Sequence, residues 1–164
     1  MAAALSLVLC VWPASIDAQT MTRADTFGDW SLLTDNRSPH LFCFVTSEPK
    51  SSAPQDASRQ AGRAYISAWP KDGIKSEVSF LMGFKIKKGA DGTATVSPGD
   101  YKLFGSNDRA YVANSTQELK LVEAMRKGSS LTVAMTSDRG TVFMDSYSLN
   151  GVELALQKLQ ETCF

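Results

Sequence analysis

The chain has 164 residues, in which 17 Lys and Arg balance 17 Asp and Glu. This length suits one ordinary domain or, at most, two very small ones. A net charge of zero argues against a protein that follows nucleic-acid phosphates, because such proteins need a basic excess. The zero net charge also argues against an acidic disordered tail. Hydrophobic residues make up 43% and charged residues 21%, both typical of a globular chain that can bury a core.

The first residues indicate export. Residues 2–12 form an uncharged apolar run that ends at Pro13. The run is too short to span a bilayer, which needs roughly 20 apolar residues, but it fits the apolar region of a secretory signal peptide. Ala18 stands at a position compatible with cleavage, so we predict a signal peptide over residues 1–18 and one β-rich domain over residues 19–164. Because no Lys or Arg precedes the run, the alternative is a buried N-terminal strand or helix.

Most of the remaining chain alternates between apolar and polar residues with period two, the pattern of half-buried strands. Turn residues such as Asp138-Arg139-Gly140 separate the alternating stretches. The pattern predicts about nine strands, which cover Trp30–Thr34, Leu41–Thr46, Ala64–Trp69, Glu77–Met82, Thr93–Ser97, Asp100–Phe104, Arg109–Ala113, Leu131–Thr136 and Val142–Tyr147.

Two segments break the β pattern and predict helices. Ser115–Lys127 begins with Ser115 and Glu118 at capping-box spacing and ends in two cations and a glycine. Val152 to about Glu161 carries an apolar stripe at helical spacing, with Asn150 as a candidate cap. We therefore expect a mainly-β fold, an antiparallel sandwich or partly closed barrel, with two short helices, one C-terminal, that cover an open end or edge.

Two polar stretches interrupt this scaffold. Residues 48–62 contain no large apolar side chain and are predicted to form a long mobile loop. A basic cluster is interpreted as the charged guard of an edge strand, with a contact site for anionic lipid headgroups or glycans as the alternative. The cluster consists of Lys71, Lys75, Lys85, Lys87 and Lys88.

The sequence contains no convincing catalytic or metal-binding pattern. His40 is the only histidine, and it precedes Cys43 by three residues, a spacing that places two strand residues on opposite faces. We interpret His40 as an exposed loop residue. No zinc-ligand spacing, calcium loop or nucleotide fingerprint is present. We therefore expect no catalytic residues, no cofactor and no metal site.

Cys43 and Cys163 are the only cysteines left once a signal peptide containing Cys10 is removed. Two cysteines in an exported chain of this size usually form one disulfide. Cys43 lies in a predicted core strand and Cys163 ends the predicted C-terminal helix. Their bridge would pin that helix to the sheet.

An ordered set of short motifs runs through residues 26–163. Phe27-Gly28-Asp29-Trp30 opens the set, and Asp145-Ser146-Tyr147-Ser148-Leu149-Asn150-Gly151 precedes the last helix and the terminal cysteine. Ala124–Gly128 (AMRKG) and Thr136–Thr141 (TSDRGT) lie between them. Together these stretches resemble the invasion-associated locus B family of alphaproteobacterial exported proteins. The chain departs from many members because it has no cysteine between Cys43 and Cys163.

The resemblance implies a small β-rich protein of the periplasm or cell surface, in a family where some members are linked to host-cell invasion. It supplies no catalytic residues. We interpret the motif residues as structural: Trp30 fills the core, Gly28 permits a tight turn, Ser148 and Asn150 cap the last helix, and Gly151 gives backbone freedom. The complete structural set is Gly28, Asp29, Trp30, Ser148, Leu149 and Gly151.

Three functions remain open at this point. The first is an exported non-enzymatic module that binds an envelope or host protein, with no nucleic-acid partner and no transmembrane segment after signal cleavage. The second is a periplasmic carrier that holds a small apolar ligand inside the sandwich or barrel, suggested by aromatic residues on both strand faces. These aromatic residues include Phe42, Phe44, Tyr65 and Trp69. The third is a hydrolase that uses carboxylates alone.

Overall fold

The computed structural model describes residues 21–35, 39–40, 42–55 and 59–164. The predicted signal peptide and Leu41, at the start of one predicted strand, therefore lie outside the described residues. The strands are β1 Met21–Phe27, β2 Trp30–Asp35, β3 Cys43–Ser47, β4 Ser51–Ala53, β5 Arg63–Trp69, β6 Ile74–Leu81, β7 Asp91–Val96, β8 Gly99–Ser106, β9 Arg109–Val112, β10 Ser130–Thr136 and β11 Val142–Ser148. The helices are α1 Ser115–Lys127, α2 Val152–Cys163 and a short 3₁₀ turn at Pro70–Asp72.

The strands form one antiparallel sheet in the order β1-β2-β3-β5-β6-β9-β8-β7-β10-β11-β4. This confirms the predicted mainly-β fold with two helices, one of them C-terminal. Each predicted strand has its counterpart among β2, β3 and β5 to β11. The pattern misses β1 and β4, since both lie at sheet edges and show no clean alternation of buried and exposed residues. The interpretation of residues 48–62 as a loop is wrong at β4.

The sheet folds over on itself without closing. Beyond the end of β6, Ile86 forms a bridge to Ser137 beyond the end of β10. The ring of Phe80 on β6 lies 6.4 Å from the ring of Tyr147 on β11. Strands that are distant in the sheet order therefore face each other across the core, as in a sandwich, while β1 and β4 remain the two edges.

The inner face of this folded sheet holds the hydrophobic core, and the two helices contribute to it. Burial of a side chain the size of Leu or Phe contributes about 1.5–3 kcal/mol. From the helices, α1 buries Leu121, Val122 and Met125, while α2 buries the apolar stripe that starts at Val152. The largest fully buried side chains include Trp30, Leu32, Ile66, Phe80, Met82, Leu103, Met135 and Tyr147.

Both helices also bond to an open part of β6. Strand β9 pairs only with the last three residues of β6, from Ser79 to Leu81, so the earlier backbone groups on that side need other partners. Glu118 of α1 accepts a 2.7 Å hydrogen bond from the backbone N–H of Val78. Gln160 of α2 donates a 2.9 Å bond to the carbonyl of Lys75. The helices thus cover an edge, as the sequence suggested.

The position of Glu118 changes the helix cap. The predicted capping box between Ser115 and Glu118 is wrong, because Glu118 bonds to β6 instead of its own helix start. Asn114 is the cap, and its side-chain oxygen accepts a 3.0 Å bond from the backbone N–H of Gln117. Burial raises the pKa of Glu118.

A disulfide joins Cys43 of β3 to Cys163 of α2, with 6.5 Å between the two Cα atoms. The two residues are 120 positions apart in the sequence. The bridge therefore closes most of the domain into one loop and ties the end of α2 to β3. Cross-linking so long a loop restricts the unfolded chain strongly.

We expect Cys163→Ser to lower the free energy of unfolding by up to about 4–5 kcal/mol, since this is the loop-closure contribution for a loop of this length. The melting temperature should fall by about 10 °C or more, and limited proteolysis should cut α2 first. Thermal denaturation under non-reducing conditions measures the change. Wild-type protein treated with dithiothreitol serves as the matched control and should melt with the variant; an unchanged melting temperature on reduction would contradict the expected role.

Candidate functional site

The outer face of the sheet, which points away from the core, carries a row of aromatic side chains. Successive side chains of a strand point to opposite faces. Because Val45 of β3 and Ile66 of β5 are fully buried in the core, Phe44 and Tyr65 point outward. The same alternation places Trp69 outward at the end of β5.

These rings lie against one another across neighbouring strands. The ring of Phe42 stacks on Trp69 with 4.1 Å between centroids and an angle of 29° between planes. Phe42 also lies 5.3 Å from Phe44, and Phe44 lies 5.5 Å from Tyr65. Such distances are typical of offset-stacked and tilted aromatic pairs. The result is a continuous aromatic wall along β3 and β5.

Two small residues form a depression beside this wall. Ser67 pairs across the sheet with Phe44 on one side, and Ser79 pairs with Tyr65 on one side and Tyr111 on the other. Because a serine side chain is much shorter than the flanking rings, it leaves space above the sheet. The depression has a volume of about 410 Å³. We call it the aromatic groove; it is lined by Phe42, Phe44, Tyr65, Ser67, Trp69, Glu77, Ser79, Arg109 and Tyr111.

The groove contains one cation and one anion. The guanidinium of Arg109 lies 4.8 Å from the centroid of the Tyr65 ring, and its Nη1 is 3.5 Å from the Ser79 hydroxyl. Glu77 lines the same groove, opposite Ser67. Within the described part of the chain neither Arg109 nor Glu77 forms an ion pair. The groove therefore offers hydrogen-bond donors and acceptors together with flat apolar surfaces.

A second polar centre lies inside the fold. Arg59 and Asp145 form an ion pair in which the two side chains are 6% and 0% exposed. Asp145 also accepts a 2.6 Å bond from the Ser52 hydroxyl of β4, and Arg59 donates a 2.8 Å bond to the carbonyl of Met82. Its guanidinium lies 5.0 Å from the ring of Phe143. The pair and the Ser52 bond attach Arg59 and β4 to β11, although the polar sequence around Arg59 gives no sign of a buried residue.

Tyr147 lies next to this pair on β11. Its hydroxyl is buried and has no hydrogen-bond partner among the described residues. Burial raises the pKa of Tyr147 far above its ordinary value, and the nearby Asp145 charge adds to the effect. The phenol therefore stays neutral and acts as a packing group against Phe80.

His40 is partly buried, and its ring contacts Asp35. Its Nδ1 lies 2.8 Å from the backbone carbonyl oxygen of Asp35 and 3.2 Å from a carboxylate oxygen of the same residue. The interpretation as a simple exposed histidine is therefore wrong. Cys43, the cysteine nearest to His40 in the sequence, is held in the disulfide and offers no thiol to it.

Three of the buried or half-buried carboxyls each have a different partner. Asp145 pairs with Arg59, Asp35 lies against His40, and Glu118 bonds to the backbone of β6. A hydrolase that works with carboxylates alone needs two acids facing one cleft. These three belong to three separate elements, β11, β2 and α1.

The structure brings the first and last sequence motifs together. The indole Nε1 of Trp30 donates a 3.0 Å bond to the carbonyl of Ser148. The backbone N–H of Asp29 donates a 3.0 Å bond to the carbonyl of Asn150. Trp30 is fully buried and Leu149 is nearly so. We call this contact the motif joint; it lies between the start of β2 and the start of α2, on the core side of the sheet.

Two glycines make the motif joint possible. Gly28 and Gly151 have φ angles of 54° and 88°, in the left-handed region that disfavours side chains. A Cβ at Gly151 would clash with the carbonyl oxygen of Phe27. The expectation that Ser148 and Asn150 cap α2 is wrong, because Gly151 occupies the cap position with no side-chain bond. The Ser148 hydroxyl instead accepts a 3.2 Å bond from the N–H of Asn150.

The predicted basic cluster is not one surface. Lys71 lies in the 3₁₀ turn before β6 and Lys75 near the start of β6, whereas Lys85, Lys87 and Lys88 follow its end. The eight-residue strand between them is roughly 25 Å long at about 3.3 Å per residue. Residues 85–88 also lie outside any strand, apart from the bridge at Ile86, so they are not guards on a strand face.

The fold is similar to that of a solved protein. The crystal structure of invasion-associated protein B from Bartonella henselae matches with a TM-score of 0.57 and 18% sequence identity, over 84% of this chain and 95% of that chain. No protein-family model and no curated protein sequence matches the chain. The likeness at this identity concerns the fold.

No helix among the described residues is both long and apolar enough to cross a membrane. The same residues contain no group of three or more His, Cys, Asp or Glu side chains arranged to hold a metal ion.

Sequence reasoning found part of the groove and missed the rest. It singled out the aromatic residues of β3 and β5 but assigned them to the lining of an interior cavity. It missed Glu77, Ser79, Arg109 and Tyr111, whose alternation indicates an outward position but not which strands are neighbours. The pairing of β6 with β9 brings these residues to the groove.

We expect Asp145→Ala to lower the free energy of unfolding by about 3–5 kcal/mol, because it leaves the Arg59 charge buried without a partner. Urea denaturation measures this loss. The double variant Arg59→Met/Asp145→Leu should lose less than Asp145→Ala, since it buries no charge. Asp91→Ala, which breaks an exposed pair with Lys102, is the matched control and should change stability by less than about 1 kcal/mol.

Proposed function

We propose that this protein is an exported, non-catalytic binding protein of the cell envelope or surface, related to the invasion-associated locus B family, and that the aromatic groove is its binding site. The fold likeness and the ordered motifs support the relationship. The disulfide supports an oxidising compartment outside the cytoplasm, where such bridges persist. A role in contact with a host follows from the family resemblance and is part of the proposal.

The observation that carries the binding role is the position of the aromatic rings. Phe42, Phe44, Tyr65 and Trp69 are only half-buried on the outer face, although each is large enough to fill a core. Exposed aromatic clusters rimmed by polar groups mark binding sites in soluble proteins. Tyr, Trp and Arg, all present here, are the residues that contribute most at binding surfaces.

The outer-face position of these rings also argues against the alternative of an interior ligand carrier. That hypothesis rested on these aromatic residues lining a cavity between the sheet halves. Because they lie on the outer face, a ligand that contacts them sits on the sheet and not inside it. The groove also favours binding over hydrolysis, since Glu77 is the one carboxylate that lines it among the described residues.

Export is the first testable part. In a bacterial host with a functional secretion pathway, we expect the full chain to be cleaved after Ala18, so that the mature protein begins at Gln19. N-terminal sequencing of protein from the periplasmic or culture fraction checks this. A cytoplasmic product that retains Met1 would contradict both the predicted export and the predicted cleavage.

The binding role is tested with purified mature protein and washed envelopes from the source bacterium. We expect the wild type to sediment with the envelopes in a saturable manner and Tyr65→Ala to lose at least about fivefold in affinity, since it removes a central ring and the surface under Arg109. Phe164→Ala is the matched control, because Phe164 is an exposed aromatic residue, 55% accessible, outside the groove. Its sedimentation should be unchanged.

Melting temperatures of both variants separate binding from folding. If Tyr65→Ala retains its fold and still binds envelopes like the wild type, the groove is not the binding site.

A further inference from the structure

We propose that the aromatic groove is the centre of a larger docking face, which binds a folded envelope protein. That protein contributes an apolar surface of its own, an acidic group opposite Arg109 and a basic group opposite Glu77. This inference rests on the proposed binding function and names the class of partner. Its support is the extent of the apolar surface, its shallow relief and its two charges.

The apolar surface extends past the groove on both sides. Phe104 of β8 stands opposite Tyr111 of β9, and the two rings stack with 5.6 Å between centroids and 26° between planes. Phe104 is 45% exposed and does not line the groove. On the other side, Leu33 of β2 stands opposite Phe44 and points outward, because Leu32 fills the core. The docking face therefore runs from β2 to β8.

The outer face becomes polar where the docking face ends. Beyond β8, the sheet continues with β7 and β10. Ala94 and Val133 of these strands lie in the core, so the alternate residues point outward. Most of them are threonines, namely Thr93, Thr95, Thr132 and Thr136. A bounded apolar region rimmed by polar residues marks an interaction site.

The size of the docking face suits a reversible complex between two proteins. It covers six strands, β2, β3, β5, β6, β9 and β8. At about 4.8 Å between strands and about 3.3 Å per residue, six strands with about six residues each give roughly 600 Å². Reversible complexes at the small end bury below about 1,200 Å² in total, which is about 600 Å² from each partner. Obligate homodimers bury about 2,000–5,000 Å², more than two such faces provide.

The side chains of the docking face pack against one another and leave no deep cleft. Phe42 and Trp69 stack with 4.1 Å between centroids, and the guanidinium of Arg109 covers the ring of Tyr65. The two serines at the bottom of the groove are nearly buried, with exposed fractions of 6% for Ser67 and 4% for Ser79. A small ligand needs a pocket that encloses most of its surface. A shallow and preformed surface rich in aromatic residues and Arg is instead typical of a protein interface.

The contact is made by side chains rather than by an added strand. A peptide that extends a sheet needs a strand with a free edge. Every strand of the docking face has a neighbour on both sides in the sheet order. The partner therefore lies over the face of the sheet.

Two separate charges define the polar groups that the partner must supply. Within the described residues, neither Arg109 nor Glu77 forms an ion pair. Arg109 stands opposite Leu81, four residues along β6 from Glu77, which is roughly 13 Å at about 3.3 Å per residue. A charge covered at an interface without a counter-charge is unfavourable. An anionic membrane would meet Arg109 but be repelled by Glu77, whereas a protein can supply both signs at this spacing.

The experiment measures sedimentation of the disulfide-intact mature protein with four preparations. These are washed envelopes, envelopes digested with a protease that is then inactivated and removed, vesicles of extracted envelope lipids, and purified peptidoglycan. We expect saturable binding to the undigested envelopes and loss of that binding after digestion. The vesicles and the peptidoglycan should show no saturable binding.

Phe104 separates a docking face from a site confined to the groove, because it belongs to the first and does not line the second. Phe104→Ala should weaken envelope binding by about fivefold, and Phe164→Ala should leave it unchanged. Arg109→Glu should lose more affinity than Arg109→Gln, since the reversal places two like charges together. Lys120→Glu, at an exposed position of α1, is the matched charge reversal and should bind like the wild type. Melting temperatures verify that each variant is folded.

Four results would overturn the inference in different ways. Undiminished binding to digested envelopes, with Tyr65→Ala still defective, would exclude a protein partner and leave the proposed binding function intact; the vesicles and the peptidoglycan would then distinguish a lipid from a glycan. Unchanged affinity of folded Phe104→Ala would confine the contact to the groove. Light scattering that shows a dimer dissociated by Tyr65→Ala would assign the docking face to a second copy. Envelope binding that does not depend on Tyr65 would overturn the proposed function itself.

Discussion

The alternation of side chains along β3, β5 and β6 is the constraint on which both the core and the groove depend. In β5, Ala64, Ile66 and Ala68 fill the inner face, so Tyr65, Ser67 and Trp69 are left on the outer face. A slip of one residue in the register would exchange the two sets and destroy both surfaces at once. The helices cover only the inner side, and they do so by filling the core and bonding the open part of β6. Among the described residues, the helices leave the outer face of these strands uncovered.

The strongest interactions of the fold lie behind the groove. The disulfide holds α2 to β3, the Arg59–Asp145 pair fastens β4 and the segment after it, and the motif joint ties β2 to the start of α2. None of these interactions uses a residue that lines the groove. A binding surface held from behind in this way loses little conformational freedom when a ligand arrives, and such preorganisation improves affinity.

Local sequence patterns predicted the elements well and their contacts poorly. Helix α1 has the predicted bounds, because its apolar spacing, final cations and terminal glycine all act within a few residues. The predicted capping box is wrong because Glu118 instead accepts a hydrogen bond from the backbone of Val78 in β6, 40 residues away in the sequence. Arg59 and Asp145 are 86 residues apart, and nothing in the polar stretch around Arg59 indicates that it enters the core. The same holds for the groove. Its aromatic residues could be singled out from the alternation of β3 and β5, whereas its polar residues come together only through the pairing of β6 with β9.

The likeness to a Bartonella protein at 18% identity places the common element of the two proteins in the fold. A fold of this kind is specified by inner-face residues, turns and the joint between the first and last motifs. Outer-face residues contribute less, since a cross-strand aromatic pair adds only about 0.2–1 kcal/mol. Proteins that share such a fold are therefore free to differ on the outer face and to bind different ligands.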